Sequence, residues 1–233
     1  MADSVEEKKV DDEQSKRLIR HHWPDRAFHW VMAIAVLVLL FSSFVPILGL
    51  KFSWVTIHWI AGLVLTVAVL FHTVRALFWQ GIKSMLVDLQ DIKDSWNDTR
   101  QTLQFKKFQA AKPGKYPVMN KMFHHSVAVV ILVTIVTGLI MMVKIDTPFW
   151  KRNPYWLTDD LWGIIYVLHG LGALILVTFI MMHIYFAVRP ENLWLTRSMV
   201  FGWITVKEYF SNFDSKRWQV NYDTKQKQTG QTD

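Results

Sequence analysis

Histidine is the residue type whose placement in this chain could do chemistry. The sequence has 9 His, and four of them form two pairs with one spacing: His58 and His72, then His169 and His183, each 14 positions apart. On an α-helix that spacing covers about 21 Å and returns to nearly the same face, at about 1.5 Å and about 100° per residue. His169 and His183 lie within "LWGIIYVLHGLGALILVTFIMMHIYFAVR" (161–189), a run long enough to span a bilayer, with no Asp, Glu or Lys inside it. An imidazole in a membrane is costly without a partner, so its presence there points to function. Two imidazoles on one face, one near each surface, suit two metal centres at two depths. Haem iron fits best, because a neutral imidazole is a good axial ligand and a flat porphyrin slides between helices. The competing expectations are that each His hydrogen-bonds a neighbouring helix, or that the His hold zinc. Zinc would favour clustered His with Asp, Glu or Cys.

The elements that must position these residues follow from composition. The 233 residues are 52% hydrophobic, with 12 Trp and 15 Phe, yet the net charge is +7. That combination belongs to the membrane class. Cys is absent, so disulfides, iron–sulfur clusters and a thioether-linked haem are excluded. Four apolar runs read as spans: roughly 30–48, 55–79, 123–143 and 161–189. His29 stands at the mouth of the first. The second carries His58, His72 and Arg75, with Gly62 one turn after His58, where a missing side chain lets a flat ring approach. Gly172 is the corresponding candidate in the fourth. The third contains Thr134, Thr137 and Gly138, with His124 and His125 at its mouth. The stretch 80–121 is polar, but Ile82, Met85, Leu86, Leu89, Ile92 and Trp96 recur at helical spacing opposite Asp88, Asp91 and Asp94. It predicts an amphipathic helix lying at the membrane interface. A second short amphipathic helix is expected over 200–213. The acidic, mixed N-terminus does not read as a signal peptide.

The fold class expected is therefore all-α, an integral membrane bundle of four helices with a cytoplasmic amphipathic helix between spans two and three. The domains are an N-terminal tail (1–26), the membrane domain (27–190, with the loop 80–121) and a C-terminal tail (191–233). The tail through Arg26 has 6 Lys and Arg, the 80–121 loop 8 and the tail from Arg189 7, against 4 in the two opposite loops. By the positive-inside rule both termini and the long loop face the cytoplasm. The basic excess is topological, and no nucleic-acid partner is needed to explain it.

With that orientation the His sort by depth. His58 and His169 form an outer layer. His183 is inner, and His29 and His72 can each supply the second inner ligand. Arg75 sits at the inner end of span two, where a guanidinium could pair with a haem propionate.

The constellation resembles the cytochrome b (gamma) subunit of membrane-bound formate dehydrogenases and, more loosely, the b-type cytochromes of membrane hydrogenases. The resemblance covers roughly Arg20 to Trp218. It rests on "DRAFHW", His58, "VRALFW", "GKY…K", "TGLIMM" and "LHGLGALILVTFIMMHIYFA". It implies two haem b, the inner held by His29 and His183 and the outer by His58 and His169. It also implies a quinone substrate beside the inner haem, met by the segment before span three. Asn120, Lys121 and His72 are the candidates there. "GKYPVMNK" departs from that family, which has Asn after the Tyr and Gly–Gln before the Lys. The implied partners are an outward iron–sulfur subunit and a catalytic subunit, at the bacterial inner membrane. The runner-up expectation is a stand-alone quinol-linked oxidoreductase similar to the small b561 cytochromes. A structural anchor or metal transporter stands as the non-redox alternative.

Overall fold

A computed structural model describes residues 16–79, 85–103 and 112–220. The elements, in chain order, are β1 (Arg17–Ile19), α1 (Trp23–Phe44), α2 (Trp54–Phe78), α3 (Leu89–Leu103), α4 (Val118–Met141), α5 (Asp159–Val188), α6 (Leu193–Phe201), β2 (Trp203–Thr205) and α7 (Val206–Asn212). Short 3₁₀ turns extend α1 (Val45–Leu48) and α4 (Met142–Lys144). Among the described residues four segments are long and apolar enough to cross a membrane: Trp23–Leu48, Trp54–Phe78, Val118–Lys144 and Asp159–Val188. The chain is an integral membrane protein.

The chain divides into two compact units. The first holds the spans. Pro24 in the first turn of α1 has its φ preset for a helix and lacks only a donor that would be orphaned there. Gly49, at φ +88°, closes the extension of α1 with its N–H on Pro46 O at 3.0 Å. That left-handed conformation lets α2 follow at once. Pro190 follows directly after the end of α5 and cannot continue it. The bundle core is small: Ala35, Val36 and Leu65, with Met32, Leu39, Leu40, Val69, Ile135 and Ile180 around them. Much of the remaining apolar surface points outward, as with Val67 and Met181. A water-soluble helix would bury these residues; a membrane helix gives them to lipid. Association then depends on close packing rather than on water exclusion. Gly172 serves that packing: a Cβ there would lie 2.5 Å from Thr134 Oγ1 on α4.

The second unit gathers residues from the segments before α1, before α4 and after α5. β1 pairs antiparallel with β2, Leu18 opposite Ile204. Leu18, Ile204, Tyr209 and Phe213 form its core. Gly202, at φ +90°, ends α6, and its carbonyl accepts from Arg20 N at 2.8 Å. Thr205 and Glu208 form a reciprocal capping box at α7. Over 200–213, where one helix is expected, the chain forms the end of α6, a strand and α7. The strand intervenes because β1 offers it a partner.

Helix α3 lies where the amphipathic helix is expected, although Ile82 and the side chain of Asp94 lie outside the described residues. Leu89, Ile92 and Trp96 are exposed while Asp91 is buried. Asp88 and Asp91 cap each other's N–H at 2.7 and 3.1 Å and start the helix. Asp91 also receives Lys121 Nζ at 2.6 Å and Arg217 Nη2 at 3.0 Å. Burial alone would raise the Asp91 carboxyl. The hydrogen bonds from Lys121 and the Asp88 N–H, with the charges of Lys121 and Arg217, outweigh it and hold the carboxyl below its ordinary value.

Asp91→Asn should loosen this unit by about 3 kcal/mol, since it leaves the buried Lys121 ammonium without a countercharge. Hydrogen exchange of the 112–121 amides measures it. The depressed carboxyl sets the sign with pH: its stabilisation is complete above the unfolded value of about 3.9 and is lost as pH falls through the lower native value. Asp91→Asn should remove that acid sensitivity.

Candidate metal centres

Six of the span His meet as three pairs across helices, and two of these pairs include a His of α5. His58 on α2 faces His169 on α5, with ring centroids 6.2 Å apart. His29 on α1 faces His183 on α5 at 6.1 Å. One metal ion between two imidazoles requires about 6.2 Å, from two metal–nitrogen bonds of about 2.0 Å and about 1.1 Å from each nitrogen to its ring centre.

Hydrogen bonds decide the tautomers of the first pair. His169 Nδ1 lies 3.0 Å from Thr137 Oγ1 and 3.1 Å from the Thr134 carbonyl, both on α4. A carbonyl only accepts, and the single Thr137 proton is used on Val133 O at 2.7 Å. His169 Nδ1 is therefore the donor, and Nε2 keeps its lone pair. His58 Nδ1 lies 2.9 Å from Ser42 Oγ on α1, whose own proton goes to Leu39 O at 3.0 Å. With that proton on Leu39 O, His58 Nδ1 donates to Ser42 and its Nε2 is left bare. Both rings are thus held in the form that ligates a metal, by the outer hydrogen bonding that orients such ligands. In the second pair, His29 Nδ1 is buried without a hydrogen-bond partner. The ring of Phe123 lies parallel to His183, at 6.1 Å.

The other candidates take different places. His72 does not meet His183; it stacks on Phe28 at 4.2 Å and faces His124 at 6.2 Å. Arg75 forms an ion pair with Asp25 on α1. Lys121 is spent on Asp91 and on Leu86 O at 3.0 Å, and Asn120 is exposed. Gly62 meets Leu39 Cδ2 at an ordinary 3.9 Å, and the space beside Gly172 is filled by Thr134. The glycine that touches a candidate ligand is Gly138, where a Cβ would lie 3.1 Å from His169 Cε1. The sequence contains Ser42, Thr137 and Gly138 in plain view, but a small residue or hydroxyl in a span does not by itself announce a His partner.

Among the described residues no three or more His, Cys, Asp or Glu cluster as a bare metal ion would want. What the helices present is paired imidazoles, the axial set of a haem, whose porphyrin supplies the other four nitrogens. A model of the prokaryotic cytochrome b561 family matches residues 20–202. The chain belongs to that family. It is also 26% identical over 212 residues to the formate dehydrogenase cytochrome b556 subunit of Haemophilus influenzae, covering 85% of this chain and 82% of that one. It is 25% identical over 193 residues to the nitrate-inducible formate dehydrogenase cytochrome b556(Fdn) subunit of Escherichia coli K12, covering 75% and 79%. Membership of this cytochrome family implies haem b and electron transfer in the membrane. The bare Nε2 atoms, the ring spacing and the orphaned His29 Nδ1 fit such a group.

Gly138→Val should push against the His169 ring and lower the haem content of the purified chain. Gly62→Ala, which adds only an ordinary contact, should not. The pyridine haemochromogen assay measures both.

Proposed function

We propose that this chain is the di-haem b-type cytochrome subunit of a formate-dehydrogenase-like membrane complex, carrying electrons between an outward iron–sulfur partner and quinone. The observation that carries this reading is that His169 and His183, both on α5, each face a His of another span at the spacing of one iron, 6.2 and 6.1 Å. The relatives named above, both cytochrome subunits of formate dehydrogenases, support the partner class: an iron–sulfur subunit and a catalytic subunit.

His58 and His169 hold the outer haem, and His29 and His183 the inner. When bound, haem iron supplies one-electron chemistry, shuttling between ferric and ferrous. The protein's part is to bind, orient and insulate. Thr137 and Ser42 keep the outer ligands neutral and aimed. The apolar span faces exclude water. The excess of Lys and Arg in the tails and the 80–121 loop puts both termini in the cytoplasm, in a multi-pass arrangement across the bacterial inner membrane. Residues 1–26 and 191–233 are then the cytoplasmic tails of a membrane domain over 27–190. Helix α3 lies with its exposed Leu89, Ile92 and Trp96 toward the lipid interface. Quinone is reduced or oxidised near the inner pair. With Lys121 engaged by Asp91, His72 is the candidate within the span unit left to meet it.

His58→Ala and His169→Ala should each abolish the same haem in reduced-minus-oxidised spectra. His29→Ala should abolish the other, and His72→Ala should keep both. Loss of different haems from the first two variants would break the outer pair, and a haem lost with His72→Ala would move the inner ligand there. Purification with an iron–sulfur subunit is expected. Quinol oxidation by the isolated chain without such a subunit would favour the stand-alone b561 reading, which the family description also covers. A Cys introduced at Asn153 should be labelled from outside intact cells, and labelling only after permeabilisation would reverse the orientation.

A further inference from the structure

A third cross-helix imidazole pair lies outside both proposed haem sites. His72 on α2 and His124 on α4 have ring centroids 6.2 Å apart and planes at 69°. Subtracting about 1.1 Å at each ring leaves at least about 4 Å between any two ring nitrogens, beyond a direct hydrogen bond. Among the described residues neither ring hydrogen-bonds another protein group. Each stands one residue from the inner pair. His72 stacks at 4.2 Å on Phe28, which precedes His29. His124 follows Phe123, whose ring lies 6.1 Å from that of His183. On the other side His125 continues the row, its ring centroid 5.7 Å from His124. The fixed charges nearby are Asp25 on α1 and Arg75 on α2, which are paired with each other and so leave the imidazoles as the groups free to change charge.

We infer that His72 and His124 form a redox-linked proton-binding pair for the inner site. One electron taken up by a haem held between His29 and His183 would be matched by one proton, passing from the inner aqueous phase by way of His125 onto a neutral imidazole of the His72–His124 pair. Electron and proton together leave the local charge unchanged. The reductant is the outward partner, acting through the outer pair. A unit charge about 10 Å away, at an effective dielectric constant of about 20, raises the proton affinity of such a pair roughly tenfold. The proton held there is then available to whatever two-electron acceptor is reduced at this end of the bundle. The inference rests on the haem reading of His29 and His183, but not on the identity of the acceptor.

The test is spectropotentiometry of the purified, haem-loaded full chain across neutral pH. In the unaltered protein the midpoint potential of the inner haem should fall as pH rises, by a total of about 59 mV, which is that tenfold change expressed for a one-electron couple. The double variant His72→Gln/His124→Gln keeps side-chain polarity but cannot take up the proton. It should retain both haems and lose the dependence, with the outer haem unchanged. His125→Gln should keep the equilibrium shift and slow proton uptake in a stopped-flow indicator assay. A dependence that survives in the double variant, or its absence from the unaltered chain, overturns the inference. Loss of a haem from the double variant overturns it too, by making one of these His a ligand. A purified chain without haem would instead remove the proposed function beneath it.

Discussion

The outer pair depends on one constraint: an imidazole placed among apolar helices is costly unless its nitrogens find partners. A buried, unpaired polar group is costly in a medium without water. At the outer pair the cost is met on one side of each ring by a hydroxyl whose own proton is already committed, Ser42 to Leu39 O and Thr137 to Val133 O. With those protons so placed, the imidazoles donate through Nδ1 and keep two Nε2 lone pairs. Two lone pairs across a gap repel unless a cation sits between them. The bundle thus creates a demand that an iron centre would satisfy. The neighbouring details fit it, including the close approach of the His169 ring to Gly138, where a Cβ would lie 3.1 Å from that ring.

Polar chemistry is divided between the two units. In the span unit His faces His and Arg75 pairs with Asp25. In the other unit Asp91 collects Lys121 and Arg217. It ties the start of α3 to the residue that enters α4 and to the segment after α7. A buried ion pair of this kind contributes little net stability, yet breaking it is costly. Its role is to specify which of several polar segments belong together.

The sequence carries the span helices and the His spacing openly, because a span is one long apolar run and the His recur at a helical interval. It leaves His29 and His72 undecided, because depth along a helix is readable from position while lateral placement is not. The stacking of His72 on Phe28 and its approach to His124 are products of helix packing. Ser42 and Thr137 were illegible for a related reason. Hydroxyls in spans ordinarily return a hydrogen bond to the preceding turn, as Thr66, Thr73 and Thr178 do. Ser42 and Thr137 do this as well; only the three-dimensional fold adds the His. The pairing of β1 with β2 and the convergence on Asp91 join residues far apart in the chain, and no local pattern encodes them. Reading 200–213 as one helix failed because a short strand there is stabilised by a partner some 180 positions earlier.

The central claim is that two pairs of neutral imidazoles each hold one iron. Electron paramagnetic resonance of the oxidised, purified chain tests it most directly, because axial ligation sets the spin state of ferric haem. The account predicts two distinct low-spin ferric signals of bis-imidazole type, one lost with His58→Ala and the other with His29→Ala. A single low-spin signal, or a high-spin signal in the unaltered protein, would contradict it.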